Sequence, residues 1–278
     1  MTEDKNDITL VATDLDGTLL NNDQEFNQKD IETLIKLGNK GVYRVIATGR
    51  NLFSIKKIFP KNFPIDYVIF SSGAGILDWK KNKLIHSEYL DRKKVEQIAN
   101  FLIEENVDFM IQEVIPENHK FVYYHTGRHN PDFLRRYEMY KEHATPIDTE
   151  TERYEHASQI IVIPYKGSEY YEQLSTQLNG TKCIRTTSPL DGESLWIEVF
   201  PENVSKGHGL DWLCKYIKTE PGETLGIGND YNDIDLLDYT RFSFVVDNAP
   251  DEMKKRYKSC KSNINCGFSD AVCKTMNI

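Results

Sequence analysis

The stretch "ITLVATDLDGTLL", residues 8–20, decides how this chain is read. An apolar run suited to a strand ends in two aspartates one residue apart, Asp14 and Asp16, with Gly17 and Thr18 directly behind them. Two like charges near one point repel and raise each other's proton affinity, so the pair is tolerable where a cation neutralises it. As a bare turn the same residues need no function, because Asp, Gly and Thr all favour turns. The remainder of the chain separates the two readings.

On either side of this stretch, apolar runs alternate with amphipathic ones. "ITLVAT", "NQKDIETLIKLGNKG", "VYRVIAT", "NLFSIKKIF" and "YVIF" follow one another up to about residue 80, the pattern of βαβ units on a parallel sheet. The first helix has Asn27 as its N-cap and Gly41 as its stop, with Ile31, Leu34 and Ile35 on a core face. The same pattern returns late in the chain. "LWIEVF" reads as a strand, "SKGHGLDWLCKYI" as a helix capped by Ser205, "ETLGIG" as a strand, and "YNDIDLLDY" as the start of a helix. Between them, residues 85–190 mix hairpin-like and helical pieces, including a helix opened by Asn130 and Pro131. The expected fold is α/β: a doubly wound parallel-sheet (Rossmann-like) core at 1–84 and 191–278, with an inserted α+β cap domain at 85–190.

Ligands of parallel sheets bind beyond the carboxyl ends of the strands. The unusual polar clusters of this sequence fall there: Asp14 and Asp16, then Thr48, Gly49 and Arg50 in "VIATGR", Ser71 and Ser72 after "VIF", and "GNDYND" at 228–233. Lys206 opens the helix after "LWIEVF". A hard cation such as Mg²⁺ takes carboxylate and carbonyl oxygens. One carboxylate can attack phosphorus while the other moves the proton. Thr48, the amides around Gly49, and Lys206 at a helix N-terminus suit the phosphoryl oxygens. Alone, Lys206 reads as a solvated lysine and "GNDYND" as capping material. Their joint placement at strand ends gives them weight.

"DLDGTLL", "ATGR", "SKG" and "GNDYND" occur in this order, with a large insertion between the second and third, and "NAPDEMK" (248–254) and "CGFSDAV" (266–272) follow. Together they resemble the haloacid dehalogenase superfamily, specifically its Cof-like phosphatases with an α/β cap. The resemblance covers about residues 8–80 and 195–278. It implies that Asp14 is the nucleophile, Asp16 the general acid and base, and Thr48 and Lys206 the phosphate holders. Mg²⁺ would be the cofactor, bound by the Asp14 carboxylate and the Asp16 backbone carbonyl. Two departures stand out. The fourth motif of that family begins Gly-Asp, whereas Gly228 is followed here by Asn229, an oxygen donor without the charge. Asp230 or Asp233 can compensate, and a helix starting at this point would set Asn229 and Asp233 four apart on one face, which favours that pair at the metal. In "SSGAG", Ser72 stands where relatives show Asn, and reaches less far.

In the insertion, "YYHTGRHN" (123–130) is the stretch dense in His, Tyr and Arg. It reads either as a specificity loop, with Arg128, His125 or His129 meeting the substrate, or as a solvated hairpin tip. Arg50 reads either as a substrate contact or as a surface or hinge residue. The net charge, 34 − 43 = −9, repels nucleic acid. No run of eighteen apolar residues could span a bilayer, the N-terminus lacks a signal-peptide layout, and five scattered cysteines suggest reduced thiols in a cytoplasmic protein. The expected activity is Mg²⁺-dependent hydrolysis of a small phosphomonoester, such as a sugar phosphate. A phosphomutase on the same scaffold and a non-catalytic phosphometabolite sensor are the rivals, and the residues carry no signature of an oligomeric state.

Overall fold

The computed structural model describes residues 8–148, 154–165, 169–188, 190 and 193–276. The chain begins with β1 (Leu10–Thr13), α1 (Gln28–Asn39), β2 (Tyr43–Ala47), α2 (Leu52–Ile58), β3 (Tyr67–Phe70), β4 (Gly75–Asp78) and β5 (Lys83–Ser87). It continues through α3 (Arg92–Glu104), β6 (Asp108–Gln112), β7 (Phe121–Tyr124), α4 (Pro131–Tyr140), β8 (Ala144–Pro146), β9 (Gln159–Ile163), α5 (Glu169–Gln177), β10 (Thr181–Thr187) and β11 (Leu195–Pro201). It ends with α6 (Lys206–Ile217), β12 (Thr224–Gly228), α7 (Ile234–Tyr239), β13 (Phe242–Val246), α8 (Asp251–Arg256), β14 (Lys258–Cys260) and α9 (Gly267–Thr275). Residues 1–50, 54–86 and 205–278 form one compact unit, and residues 51–53 and 87–204 the other.

In the first unit, eight strands among the described residues make one sheet in the order β14-β13-β12-β1-β2-β3-β4-β5. Pairings from β14 to β3 are parallel, and β4 turns back antiparallel on β3. Strands buried on both faces need apolar residues throughout, as "LVAT" and "YVIF" provide. Leu10, Ala12, Val45, Ala47 and Ile69 pack against Leu210, Leu213 and Cys214 of α6 and Leu236 of α7. Arg44 alternates with Val45 and donates to the Leu34 carbonyl, which places α1 on the opposite face. From β1 the chain steps to β2 on one side, while β12 lies on the other, so the strand order reverses at β1. That is the point where such sheets bind ligands.

The second unit has a six-stranded sheet among the described residues, in the order β10-β11-β9-β6-β7-β8. Phe109, Ile111, Ile160, Val162, Ile197 and Val199 pack on one face against Val95 and Ile98 of α3 and Tyr170 and Leu174 of α5. Met110, Phe121, Ile161, Ile163 and Trp196 alternate to the other face and meet Phe133 of α4.

This pairing corrects the sequence reading. "LWIEVF" is not a core strand: β11 pairs antiparallel with β10 over seven residues and with β9. Its apolar residues point to both faces, Leu195, Ile197 and Val199 to one core and Trp196 to the other, as suits a sheet with different cores on its two faces, and the second unit runs to residue 204 rather than ending at 190. Two smaller expectations also change. Ile35 is 46% exposed. Asn27 sits at the N-cap of α1 without a side-chain cap bond and donates instead to the Asn263 carbonyl. The caps at Asn130 and Ser205 form as expected, accepting from the amides of Phe133 and His208.

Candidate active site

Asp14 is the first residue beyond β1, its amide still bonded to the Ile227 carbonyl of β12. The chain then turns sharply: the amides of Leu19 and Leu20 return to the Leu15 carbonyl, and Gly17 adopts φ +74°. A Cβ at Gly17 would be strained at this φ and would stand 2.6 Å from Asn229 Nδ2, so that side chain would have to move. Asn248 Nδ2 donates to the Gly17 carbonyl at 2.9 Å and secures the turn.

Lys206 reaches Asp14 from the N-terminus of α6. Its Nζ donates to Asp14 Oδ1 at 2.7 Å and to Asp233 Oδ1 at 2.6 Å, with all three side chains buried. Burial disfavours the ammonium charge, but the two carboxylates outweigh it and hold the Lys206 pKa above its ordinary value. Burial pushes the Asp14 carboxyl up to about 7, opposed by Lys206 and reinforced by Asp233 and Asp16. Asp14 Oδ2 is buried and has no hydrogen-bond partner. Such an atom is costly unless something else meets it.

Asp233 is held from both ends. Its Oδ2 accepts the amides of Asn229 at 2.8 Å and Asp230 at 3.1 Å, while Oδ1 faces Lys206. The shared face of Asn229 and Asp233 depended on a helix starting at residue 229, and none does. Asp230 is the N-cap of a 3₁₀ turn at Tyr231–Asp233, and α7 follows. Asn229 therefore precedes the helix, and the shared face proposed for Asn229 and Asp233 is absent. Asp230 Oδ1 accepts the Tyr231 amide, and burial raises its pKa.

Thr48 follows β2 with its hydroxyl accepting the Arg50 amide at 3.1 Å, and its carbonyl accepts the Ser72 amide. A Cβ on Gly49 would lie 3.5 Å from Ser72 Oγ, which brings the two segments together. Arg50 holds Asp16: Nε donates to Oδ2 at 2.8 Å and Nη2 to Oδ1. The same guanidinium meets Gln24 and Ser54. The structure thus forms two bonded groups, Asp14–Lys206–Asp233 and Asp16–Arg50, at the end of β1, with Thr48, Gly49 and Asn229 at the adjoining strand ends. Gln24 escaped the sequence reading, and Asn248, which opens "NAPDEMK", was given no role in it. Asn248 carried a usable signal, a polar residue two places beyond the apolar strand "FSFVV".

Among the described residues, no three His, Cys, Asp or Glu side chains gather into a metal cage. A hard cation nonetheless suits this strand end, where Asp14 Oδ2 is buried without a hydrogen-bond partner and Asn229 follows the neighbouring strand β12.

The loop at 123–130 belongs to the second unit and is built around Asp108. Asp108 Oδ1 accepts His125 Nδ1 at 3.0 Å and the Thr126 amide at 2.7 Å, and Oδ2 accepts Asn130 Nδ2 at 2.8 Å. His125 also stacks on Phe133, whereas Arg128 and His129 are exposed. His125 is a strut of the loop.

A family model for haloacid dehalogenase-like hydrolases matches residues 11–271. A Bacillus subtilis 5-amino-6-(5-phospho-D-ribitylamino)uracil phosphatase is 22% identical, over 88% of this chain and 90% of its own length. Among solved structures, a phosphatase of the haloalkanoate (HAD) superfamily from Bacteroides thetaiotaomicron superposes with a TM-score of 0.81 at 20% identity, covering 99% of this chain and 97% of that one. The HAD subclass IIB sugar phosphatase BT4131 gives 0.76 at 18% identity, covering 96% and 98%. At such identities, the superpositions establish the fold.

Proposed function

The chain belongs to the haloacid dehalogenase-like hydrolases and is a phosphatase of their Cof-like branch, and from that premise we propose that it hydrolyses a small phosphomonoester through Asp14. The observation that carries the reading is the buried bridge from Lys206 to Asp14 and Asp233, which holds one oxygen of Asp14 and leaves the other unpartnered.

An Asp14 oxygen attacks phosphorus as the bond to the ester oxygen breaks, giving an aspartyl phosphate. Asp16 delivers a proton to the departing oxygen, then takes one from the water that attacks phosphorus, so phosphate leaves and Asp14 is restored. Lys206, Thr48 and the amides around Gly49 hold the phosphoryl oxygens. Mg²⁺, held by the Asp14 carboxylate, the Asp16 carbonyl and the Asn229 amide oxygen, would supply positive charge against the phosphoryl group. Asp233 keeps Lys206 charged and in place.

The preferred substrate is a small phosphorylated metabolite, such as a sugar phosphate. One phosphatase that resembles this chain in sequence acts on a phosphorylated ribityl compound, and the subclass IIB neighbour is a sugar phosphatase. No helix among the described residues is long and apolar enough to cross a membrane, and all five cysteines are free thiols. Both fit the cytoplasmic setting we assign. Assaying a panel of phosphorylated metabolites for free phosphate, with Mg²⁺ and with chelator, tests the reading. Mg²⁺-dependent phosphate release without an added bisphosphate is the expected result. Transfer back to substrate would make the protein a mutase, and binding without turnover a sensor.

A further inference from the structure

Asp14 and Asp16 are aimed in different ways. The Asp14 side chain is 6% exposed and is fixed by its packing, whereas that of Asp16 is 42% exposed. A carboxylate so open to solvent turns freely unless a partner holds it, and an exposed ion pair by itself holds weakly. The partner here is Arg50, whose Nε and Nη2 donate to the two Asp16 oxygens. Arginine carries its rigid fork on a long, rotatable stem, so the fork aims Asp16 only as well as it is itself placed.

Gln24 supplies part of that placement. Each Nη nitrogen of a guanidinium carries two hydrogens. Arg50 Nη2 donates one to Asp16 Oδ1 and the other to Gln24 Oε1, while Nη1 donates to Ser54 Oγ at 3.3 Å. Gln24 in turn stands on a built turn. Asn21 Oδ1 accepts the amides of Asp23 and Glu25, each at 2.9 Å, and the Gln24 amide returns to the Asn21 carbonyl. Phe26 behind the turn packs on Phe63 with ring centroids 4.6 Å apart, and Asn263 Nδ2 donates to the Leu20 carbonyl and to Asn22 Oδ1. Within this turn Gln24 has φ +62°, a left-handed conformation that glycine adopts without strain. Strain of this kind persists where the surroundings enforce it, and it gathers at functional sites.

We propose that Gln24 is a positioning residue for the proton-transferring carboxylate: its side-chain oxygen sets the Arg50 fork, and the fork sets Asp16. The proposal rests on the phosphatase reading, in which Asp16 gives a proton to the departing oxygen. Gln24 then matters in proportion to how much the leaving group needs that proton.

The test compares two aryl esters of similar shape, phenyl phosphate and dinitrophenyl phosphate, with Mg²⁺ present. Phenolate leaves poorly without a proton, and dinitrophenolate leaves well. For each ester kcat/KM is measured in Gln24→Gly, which relieves the backbone, and in Gln24→Met, which keeps the length and loses the acceptor. It is expected to fall by about fivefold or more for phenyl phosphate and by less than about twofold for dinitrophenyl phosphate. In the Arg50→Ala background, Gln24→Met is expected to change neither value. Equal losses on both esters, no loss on either, or an undiminished effect in the absence of Arg50 overturns the inference and leaves the phosphatase reading standing. A wild type that hydrolyses only the activated ester has no proton donor for Gln24 to position, which overturns it as well. A wild type that releases phosphate from neither ester removes the phosphatase reading and the inference with it. Either variant decides the matter where the other fails to fold.

Discussion

Arg50 and Asp16 meet through two hydrogen bonds, Nε to Oδ2 at 2.8 Å and Nη2 to Oδ1, which fix the plane of the Asp16 carboxylate. Gln24 and Ser54 hold the same guanidinium. A planar fork of donors pre-orients a carboxylate in a way that a lysine's point charge does not. Arg50→Ala is therefore expected to lower kcat by about 10- to 100-fold with little change in KM, because the proton donor proposed above loses its aim rather than the substrate its grip. Arg50→Lys should recover only part of the loss. Steady-state kinetics on a generic phosphomonoester separate this from a substrate contact, which would raise KM first.

Asp14→Asn is expected to abolish Mg²⁺-dependent turnover while the circular dichroism spectrum stays native, since the amide keeps the shape and loses the nucleophile. The substitution also reports on pH. An unfolded aspartate titrates near 3.9, whereas folded, metal-free Asp14 holds its proton up to about 7, chiefly because of burial. Stability from this group is complete below the unfolded value and is lost as pH rises through about 7. In chelator, the Tm of the wild type relative to Asp14→Asn should decline from about pH 4 to about pH 7. A difference that stays flat across that window would contradict the buried, proton-holding Asp14.

Gly73 has φ +107°, and a Cβ there would stand 2.2 Å from the Ser205 carbonyl oxygen. The segment ahead of it is already strained, with Ser71 and Ser72 both at positive φ. Ser205 is the N-cap of the helix that begins with Lys206, so pushing its backbone away moves the ammonium as well. Gly73→Ala is expected to cost at least about 2 kcal/mol of stability and to lower kcat in the fraction that remains folded. Chemical denaturation and kinetics on the same sample check both.

Much of this architecture could be read from the chain because local and global signals agree. "TLVATDLDGT", "VIATGR" and "GNDYND" combine apolar strands with polar ends, and the sheet brings those ends together. What escaped depends on pairing over long distances. "LWIEVF" is apolar enough for either sheet, and only its partners β9 and β10 show which one takes it. The Asn229–Asp233 face failed because Asp233 satisfies the backbone amides of Asn229 and Asp230, so the chain turns before the helix begins. His125 read either as a ligand contact or as a solvated loop residue, because nothing near it in sequence reveals Asp108, 17 residues earlier, as its partner.

That partnership makes His125 part of the scaffold of the loop at 123–130, and stability and kinetics should show it. Asp108 is buried and accepts from His125, Thr126 and Asn130, so Asp108→Ala strands several donors and is expected to cost about 2–4 kcal/mol. His125→Ala loses one bond and the stacking on Phe133, and should cost about 1 kcal/mol while leaving KM unchanged. Arg128 is exposed, with its amide bonded to Thr126 Oγ1 and its side chain on the surface. Arg128→Ala should leave the denaturation midpoint where it was. If His125→Ala raises KM without loss of stability, the strut assignment is wrong and the histidine belongs with the substrate contacts.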